Sequence, residues 1–167
     1  MTQPVPFDIP LIVVLAILLV AVNFVIRRKR ISTGEYVIQG NVAVVSAIVM
    51  LDSLLSDWVV AGEYVIPGPY VSSILFSNIP IISAVFDSLF IFAGLTIIGG
   101  FLHLASYWVG RRIIRISAVL SLIFEALIIF TLSILSDVRP FWIAWITVLS
   151  TVVILISTYI SRSRENK

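Results

Sequence analysis

The chain has no cysteine and few charged residues. Without cysteine it cannot form disulfides, thiolate metal sites or iron–sulfur centres, and thiol redox chemistry is excluded. Charged residues make up 12% of its 167 residues and hydrophobic residues 60%, whereas soluble domains carry roughly 25% charged residues. The composition therefore predicts an integral membrane protein, and the length allows one membrane domain over residues 1–167.

Apolar segments long enough to cross a bilayer recur along the chain and predict an all-α bundle of five transmembrane helices. The first of them has only Asn23 as an interior polar residue, so we expect it to lie at the edge of the bundle. The third is longer than a bilayer requires, and we expect a bend at Gly99-Gly100. The predicted spans are approximately 7–26, 42–61, 80–109, 113–135 and 141–160, with an outer loop at 62–79 that includes a short interfacial helix.

Basic residues cluster beside the ends of the predicted spans. Since cytoplasmic loops of membrane proteins are rich in Lys and Arg, an outside N-terminus and a cytoplasmic C-terminus place ten of the eleven basic residues on one side. The clusters set the topology, and we expect the plasma membrane as the location and no contact with nucleic acid. The same clusters can bind anionic lipid head groups, for which the candidates are Arg27, Arg28, Arg30, Arg111, Arg112 and Arg115.

Four acidic side chains fall within the predicted spans, at Asp52, Asp57, Asp87 and Glu125. At 100° per residue, Asp52 and Asp57 share one polar face of span two, so we expect that face to turn toward other helices and away from lipid. Asp52 and Glu125 fall at a similar depth near the middle of the bilayer, and Asp57 and Asp87 fall in its outer third. Two pairs of acids at matching depths are the most informative pattern in the sequence.

These acids allow two interpretations. Intramembrane carboxyl groups commonly mark proton or cation pathways. Alternatively, protonated carboxyl groups hydrogen-bond to Ser and Thr hydroxyls of neighbouring helices and have a structural role only. No Lys or Arg lies at core depth to neutralise them, so we expect the midplane pair to be neutral part of the time.

His103 is the only histidine and lies on the predicted third span beside Tyr107 and Trp108. One histidine excludes a bis-histidine haem within this chain. A histidine among aromatic residues is a candidate quinone contact, and the structural alternative is a histidine hydrogen-bonded at a helix interface. We expect no metal site and no cofactor.

Catalytic motifs are absent from the sequence: it has no HExxH, no glycine-rich phosphate loop and no Ser–His–Asp arrangement. The sequence favours a non-catalytic subunit of a larger membrane complex, whose buried acids support proton or cation movement. The alternatives are a small homo-oligomeric proton- or cation-coupled transporter and a quinone-interacting membrane anchor of a respiratory-type complex. The expected partners are membrane lipids and either other membrane subunits or further copies of the chain.

Overall fold

Long apolar helices form most of the structure, a computed structural model that describes residues 8–29, 34–135 and 138–160. The helices are α1 (Asp8–Lys29), α2 (Gly34–Leu55), α3 (Gly68–Leu75), α4 (Pro80–Leu104), α5 (Trp108–Ile134) and α6 (Trp142–Ile160). The strands are β1 (Asp57–Ala61), β2 (Tyr64–Pro67) and β3 (Val138–Pro140). Four helices, α2, α4, α5 and α6, are long and apolar enough to cross a membrane.

The four long helices run alternately up and down. Gln39, near the start of α2, contacts His103 near the end of α4. Arg115, near the start of α5, contacts Thr158 near the end of α6. These four helix ends therefore lie together, and β1 and β3, which follow α2 and α5, pair at the other end of the bundle.

Helix α1 lies at the edge of this bundle, against α2 and α4. Most of its described large apolar side chains are exposed, as expected for a peripheral span. Its described apolar stretch, Val13–Ile26, is shorter than the other four candidate spans. The fifth span and the orientation of the termini thus remain predictions, and residues 1–7 and 161–167 lie outside the described part of the chain.

The predicted second span, 42–61, is wrong at its outer end, because α2 ends at Leu55 and residues 57–61 form β1. The sequence around Gly62-Glu63 has β-branched and aromatic residues on both sides, which favour strands. Gly62 has a φ of 58°, and Ala61 pairs with Tyr64, so a two-residue turn joins β1 to β2. With β3 on the other edge of β1, a three-stranded antiparallel sheet, which we did not predict, is added to a fold that is mostly helical, as we predicted.

The third and fourth predicted spans meet at the wrong residue. We predicted 80–109 and 113–135, but α4 ends at Leu104 and α5 begins at Trp108. Ser106 has a φ of 66°, its N–H donates to His103 O at 2.9 Å, and the Tyr107 N–H donates to Leu102 O at 3.0 Å. This is a Schellman ending, a common way for a helix to terminate. Helix α4 continues through Gly99 and Gly100, which lie against α5 and α2.

The short helix predicted within the outer loop is present as α3, which packs against α4, β1 and α2. The apolar core has two parts. At the sheet end, Trp58 and Phe86 pack edge to face with ring centroids 5.0 Å apart. At the other end the core is lined by small and branched residues of α2 and α5, among them Ala43, Ala47 and Ala118.

Candidate functional site

Glu125 is buried, whereas the other three acidic candidates lie at the surface. The Glu125 side chain, on α5, has no exposed area. Asp52, Asp57 and Asp87 are exposed. The prediction that Asp52 and Asp57 share an inward face of one helix is wrong, and so is the expected partnership of Asp52 with Glu125 in the interior. Asp57 is not helical and begins β1.

The buried face of α2 includes small residues, and Asp52 does not lie on it. Gly40, Ala43 and Ala47 are buried, and α2 packs there against α4 and α6. In membranes, small residues let helix backbones approach closely, so packing set this orientation. Asp52 lies three residues before the end of α2, about 4.5 Å along the helix axis.

Glu125 bonds to a threonine of α6, which in turn contacts α2. Thr151, on α6, donates from Oγ1 to Glu125 Oε1 at 2.8 Å. The same hydroxyl lies 3.7 Å from Met50 Sδ, on α2. Glu125 Oε2 is buried and has no hydrogen-bond partner among the residues that the structure describes. One carboxyl oxygen is thus engaged and the other is available.

The Thr151 hydroxyl has a single proton and two competing oxygen acceptors. Besides Glu125 Oε1, the backbone oxygen of Thr147 lies 3.1 Å from Thr151 Oγ1. When Glu125 is ionised, its Oε1 can only accept a hydrogen bond, so the Thr151 hydroxyl donates to it. A neutral Glu125 can donate its own proton to Thr151, which then bonds back to the Thr147 carbonyl. The arrangement of α5 and α6 therefore accommodates both protonation states of Glu125.

A chain of hydrogen bonds links Trp58 of β1 to α6 and α2. The Trp58 indole Nε1 donates to Thr147 Oγ1 at 3.3 Å, and Thr147 Oγ1 lies 2.8 Å from Ser53 Oγ. Ser53 donates to the Met50 backbone oxygen at 2.8 Å, so the Thr147 proton goes to Ser53. All three side chains are buried, and each has its hydrogen bonds satisfied. This part of the polar interior is structural.

Two serines precede Glu125 on the same face of α5, and they differ. Ser117 donates to the backbone oxygen of Ile113 at 2.7 Å and lies 2.8 Å from Thr96 Oγ1 on α4. Ser121, one turn before Glu125, is 1% exposed, and its Oγ has no hydrogen-bond partner within the described residues. Ser121 Oγ and Glu125 Oε2 are therefore two available polar atoms, one helical turn apart, in the same interior.

His103 is buried in a polar contact at the opposite end of the bundle. Its Nε2 lies 3.0 Å from Gln39 Oε1, and its ring lies 4.8 Å from the ring of Tyr36, both on α2. Tyr107 and Trp108, which we expected beside it on one helix, follow the end of α4 and are each 59% exposed. The predicted group of His103 with Tyr107 and Trp108 is not assembled, because the chain reverses at Ser106.

The arginines at the start of α5 have different surroundings. Arg111 and Arg115 both donate to the Thr158 backbone oxygen near the end of α6, at 3.3 and 2.7 Å. Arg112 is exposed, and its guanidinium lies 4.2 Å from the ring centroid of Trp108. The side chains of the other head-group candidates, Arg27, Arg28 and Arg30, lie outside the described part of the chain. Lipid binding stays a prediction for all six.

Within the described residues, no three His, Cys, Asp or Glu side chains are grouped in a way that could hold a metal ion. Comparison of the chain with models of protein families, with curated proteins and with solved structures finds no match. The function therefore has to be argued from the side chains themselves.

Three residues of the polar interior are not among the predicted site residues. Ser53 was assigned to the polar stripe of α2 but not to a contact with α6, and Trp58 lies in a strand that we predicted as helix. Gln39 precedes the predicted span 42–61 but lies within α2.

Proposed function

We propose that this chain is a non-catalytic integral membrane subunit of the plasma membrane in which Glu125 supports proton or cation movement. One observation carries the proposal: a fully buried carboxyl group leaves Oε2 without a partner among the described residues. An ionised carboxylate buried without a cation costs several kcal/mol. Such a group favours binding a proton or a small cation inside the bundle.

The alternative is that Glu125 only joins α5 to α6. If Glu125 were only structural, we would expect both of its carboxyl oxygens to form hydrogen bonds. The hydroxyls of Thr147 and Ser53 nearby are both hydrogen-bonded. Glu125 engages one. The second oxygen is the reason to favour exchange of a bound ion over a purely structural role.

The test begins with affinity isolation of the full chain from its native membrane in mild detergent, followed by reconstitution of whatever is retained into vesicles. We expect Glu125→Gln to lower proton or cation flux at least tenfold, as a glutamine cannot carry a charge through the step. Asp87→Asn is the matched control, because it removes an exposed carboxylate and should leave the flux unchanged. Unchanged flux in Glu125→Gln, with normal protein levels, would exclude this function.

The same isolation distinguishes a subunit from a carrier. Other chains retained in fixed proportion support the subunit. A homogeneous assembly of this chain alone, with Glu125-dependent flux, supports the homo-oligomeric transporter instead. A quinone contact at His103 has less support, since Tyr107 and Trp108 do not surround that histidine.

A further inference from the structure

We propose that the ion bound by Glu125 is a proton and not a metal cation, and that Ser121 exchanges this proton with Oε2 through a bridging water molecule. This inference rests on the proposed function and names the species that the site takes. It also assigns a role to Ser121, a residue that the hydrogen bonds of the bundle do not otherwise use.

Ser121 differs from Ser117 in its hydrogen bonding. Serines inside helices usually bond back to a carbonyl of the preceding turn, and Ser117 does so at 2.7 Å. Ser121 Oγ makes no such bond within the described chain, although it is buried. A buried hydroxyl without a partner costs about 1–3 kcal/mol. A water molecule bonded to this hydroxyl would offset that cost.

Ser121 and Glu125 lie four residues apart on α5. Residues four apart on a helix have Cβ atoms about 5–6 Å apart on one face. Both side chains therefore extend from one face of α5, where one water molecule, which needs two to four polar partners, can bridge Ser121 Oγ and Glu125 Oε2. The pair is thus suited to a short proton relay, since hydroxyl, water and carboxyl each accept and donate.

The surroundings of Glu125 offer few oxygen ligands for a metal cation. Hard cations such as Mg²⁺ and Ca²⁺ take about six or more oxygen ligands. At this site the Thr151 hydroxyl lies between a carboxyl oxygen and a backbone carbonyl, and the next neighbour is the Met50 sulfur. Two available oxygens are too few for such a cation, whereas a proton needs one carboxyl oxygen and one acceptor.

No other described charged group faces Glu125 from the helices packed around it. On α2 and α4, Asp52 and Asp87 are exposed. His103, also on α4, lies against Gln39 at the far end of the bundle. The described part of α6 has one titratable side chain, Tyr159, near its last turn. Arg139 on β3 is exposed. The charge at this site therefore depends on Glu125 alone.

The experiment is infrared spectroscopy of the full protein in lipid, which detects the carbonyl stretch of a protonated carboxyl group. Glu125→Gln identifies the band by removing it. We expect the band to be unchanged when choline is replaced by Na⁺, K⁺ or Mg²⁺ at constant pH and ionic strength. Loss of the band on adding any of these metal ions would overturn the proton assignment.

The role of Ser121 is tested by the rate at which the Glu125 carboxyl exchanges its proton for deuterium. We expect Ser121→Ala to slow this exchange about tenfold, the factor that corresponds to one hydrogen bond of ordinary net strength. Ser121→Thr keeps a hydroxyl and should restore the rate, and Ser117→Ala should leave it unchanged. A wild-type rate in a folded Ser121→Ala would overturn the relay.

The two levels of the proposal fail in different experiments. Wild-type flux in Glu125→Gln overturns the proposed function, even when the infrared band behaves as expected. Displacement of the band by a metal ion, with flux lost in Glu125→Gln, overturns only the identity of the ion.

Discussion

At the scale of single residues, the contact between α1 and α2 depends on two amides. Asn23 Nδ2 donates to Asn41 Oδ1 at 2.6 Å, and Asn41 Nδ2 donates to Asn23 Oδ1 at 2.9 Å. The rest of the described α1 surface is largely exposed. Since apolar side chains gain little from packing against helices rather than lipid, this reciprocal pair gives the contact its position.

Replacing either amide should therefore weaken the attachment of α1. We expect Asn23→Val and Asn41→Val each to cost about 1 kcal/mol of stability, with a coupling energy of roughly 0.5–2 kcal/mol in the double variant. The measurement is unfolding of the purified protein by a denaturing detergent. Asn78→Ala, an exposed position in the loop before α4, is the control. Strictly additive costs would show that the two amides do not act as a pair.

The burial of Glu125, Thr147 and Thr151 could be predicted from the sequence, whereas the exposure of the aspartates could not. Thr147 and Thr151 lie on one stripe of an apolar segment, and Glu125 lies among small residues on another, so helical spacing was enough to orient them. For Asp52 the same spacing gave a polar face and a small-residue face, and nothing in one helix alone decides which face is buried. Contacts with α4 and α6 decide it.

At the scale of helices, glycine sets how closely α4 and α5 approach. A Cβ built on Gly110 of α5 would lie 2.5 Å from both the Gly99 backbone oxygen and the His103 backbone nitrogen of α4. Backbone atoms cannot yield as a flexible side chain can, so any larger residue must separate the helices. Gly94, also on α4, has no atom within 4 Å of its built Cβ.

These two glycines give a matched pair of variants. We expect Gly110→Ala to cost about 1–3 kcal/mol, the usual effect of overpacking. Gly94→Ala should be neutral, or stabilising by up to about 1 kcal/mol, because alanine favours the helix. Thermal unfolding in the same detergent measures both. Equal stability of the two variants would mean that α4 and α5 do not approach as the structure has them.

The strands at the sheet end could not be predicted from hydropathy alone. An apolar run ending in Asp57–Ala61 reads as the last turns of a spanning helix when hydropathy alone is used. The competing signal was a pair of β-branched runs around Gly62, which supplies the positive φ of the turn. A hairpin was therefore recognisable locally, but its pairing with β3, more than 70 residues further along the chain, required the tertiary structure.

At the scale of the whole molecule, the two ends of the bundle differ in charge and in architecture. The starts of α2 and α5 and the ends of α4 and α6 lie at one end, where Arg111, Arg112 and Arg115 are found. The sheet and α3 cover the other end. Among the described residues at that end, Arg139 is the only Lys or Arg. The positive-inside rule therefore predicts that the first end faces the cytoplasm.

The absence of cysteine makes this orientation directly testable, because any cysteine introduced into the chain is the only one. We expect a membrane-impermeant maleimide to label Glu63→Cys, in the exposed β1–β2 turn, on intact cells. Five spans predict the same result for Thr2→Cys. Ser163→Cys should react only after the membrane is permeabilised, and the parent chain should not react at all. Labelling of Thr2→Cys only in permeabilised cells would remove α1 as a span and keep the four-helix bundle. Labelling of Ser163→Cys on intact cells, with Glu63→Cys protected, would reverse the orientation, because the charge rule would then have failed for the arginines of α5 themselves.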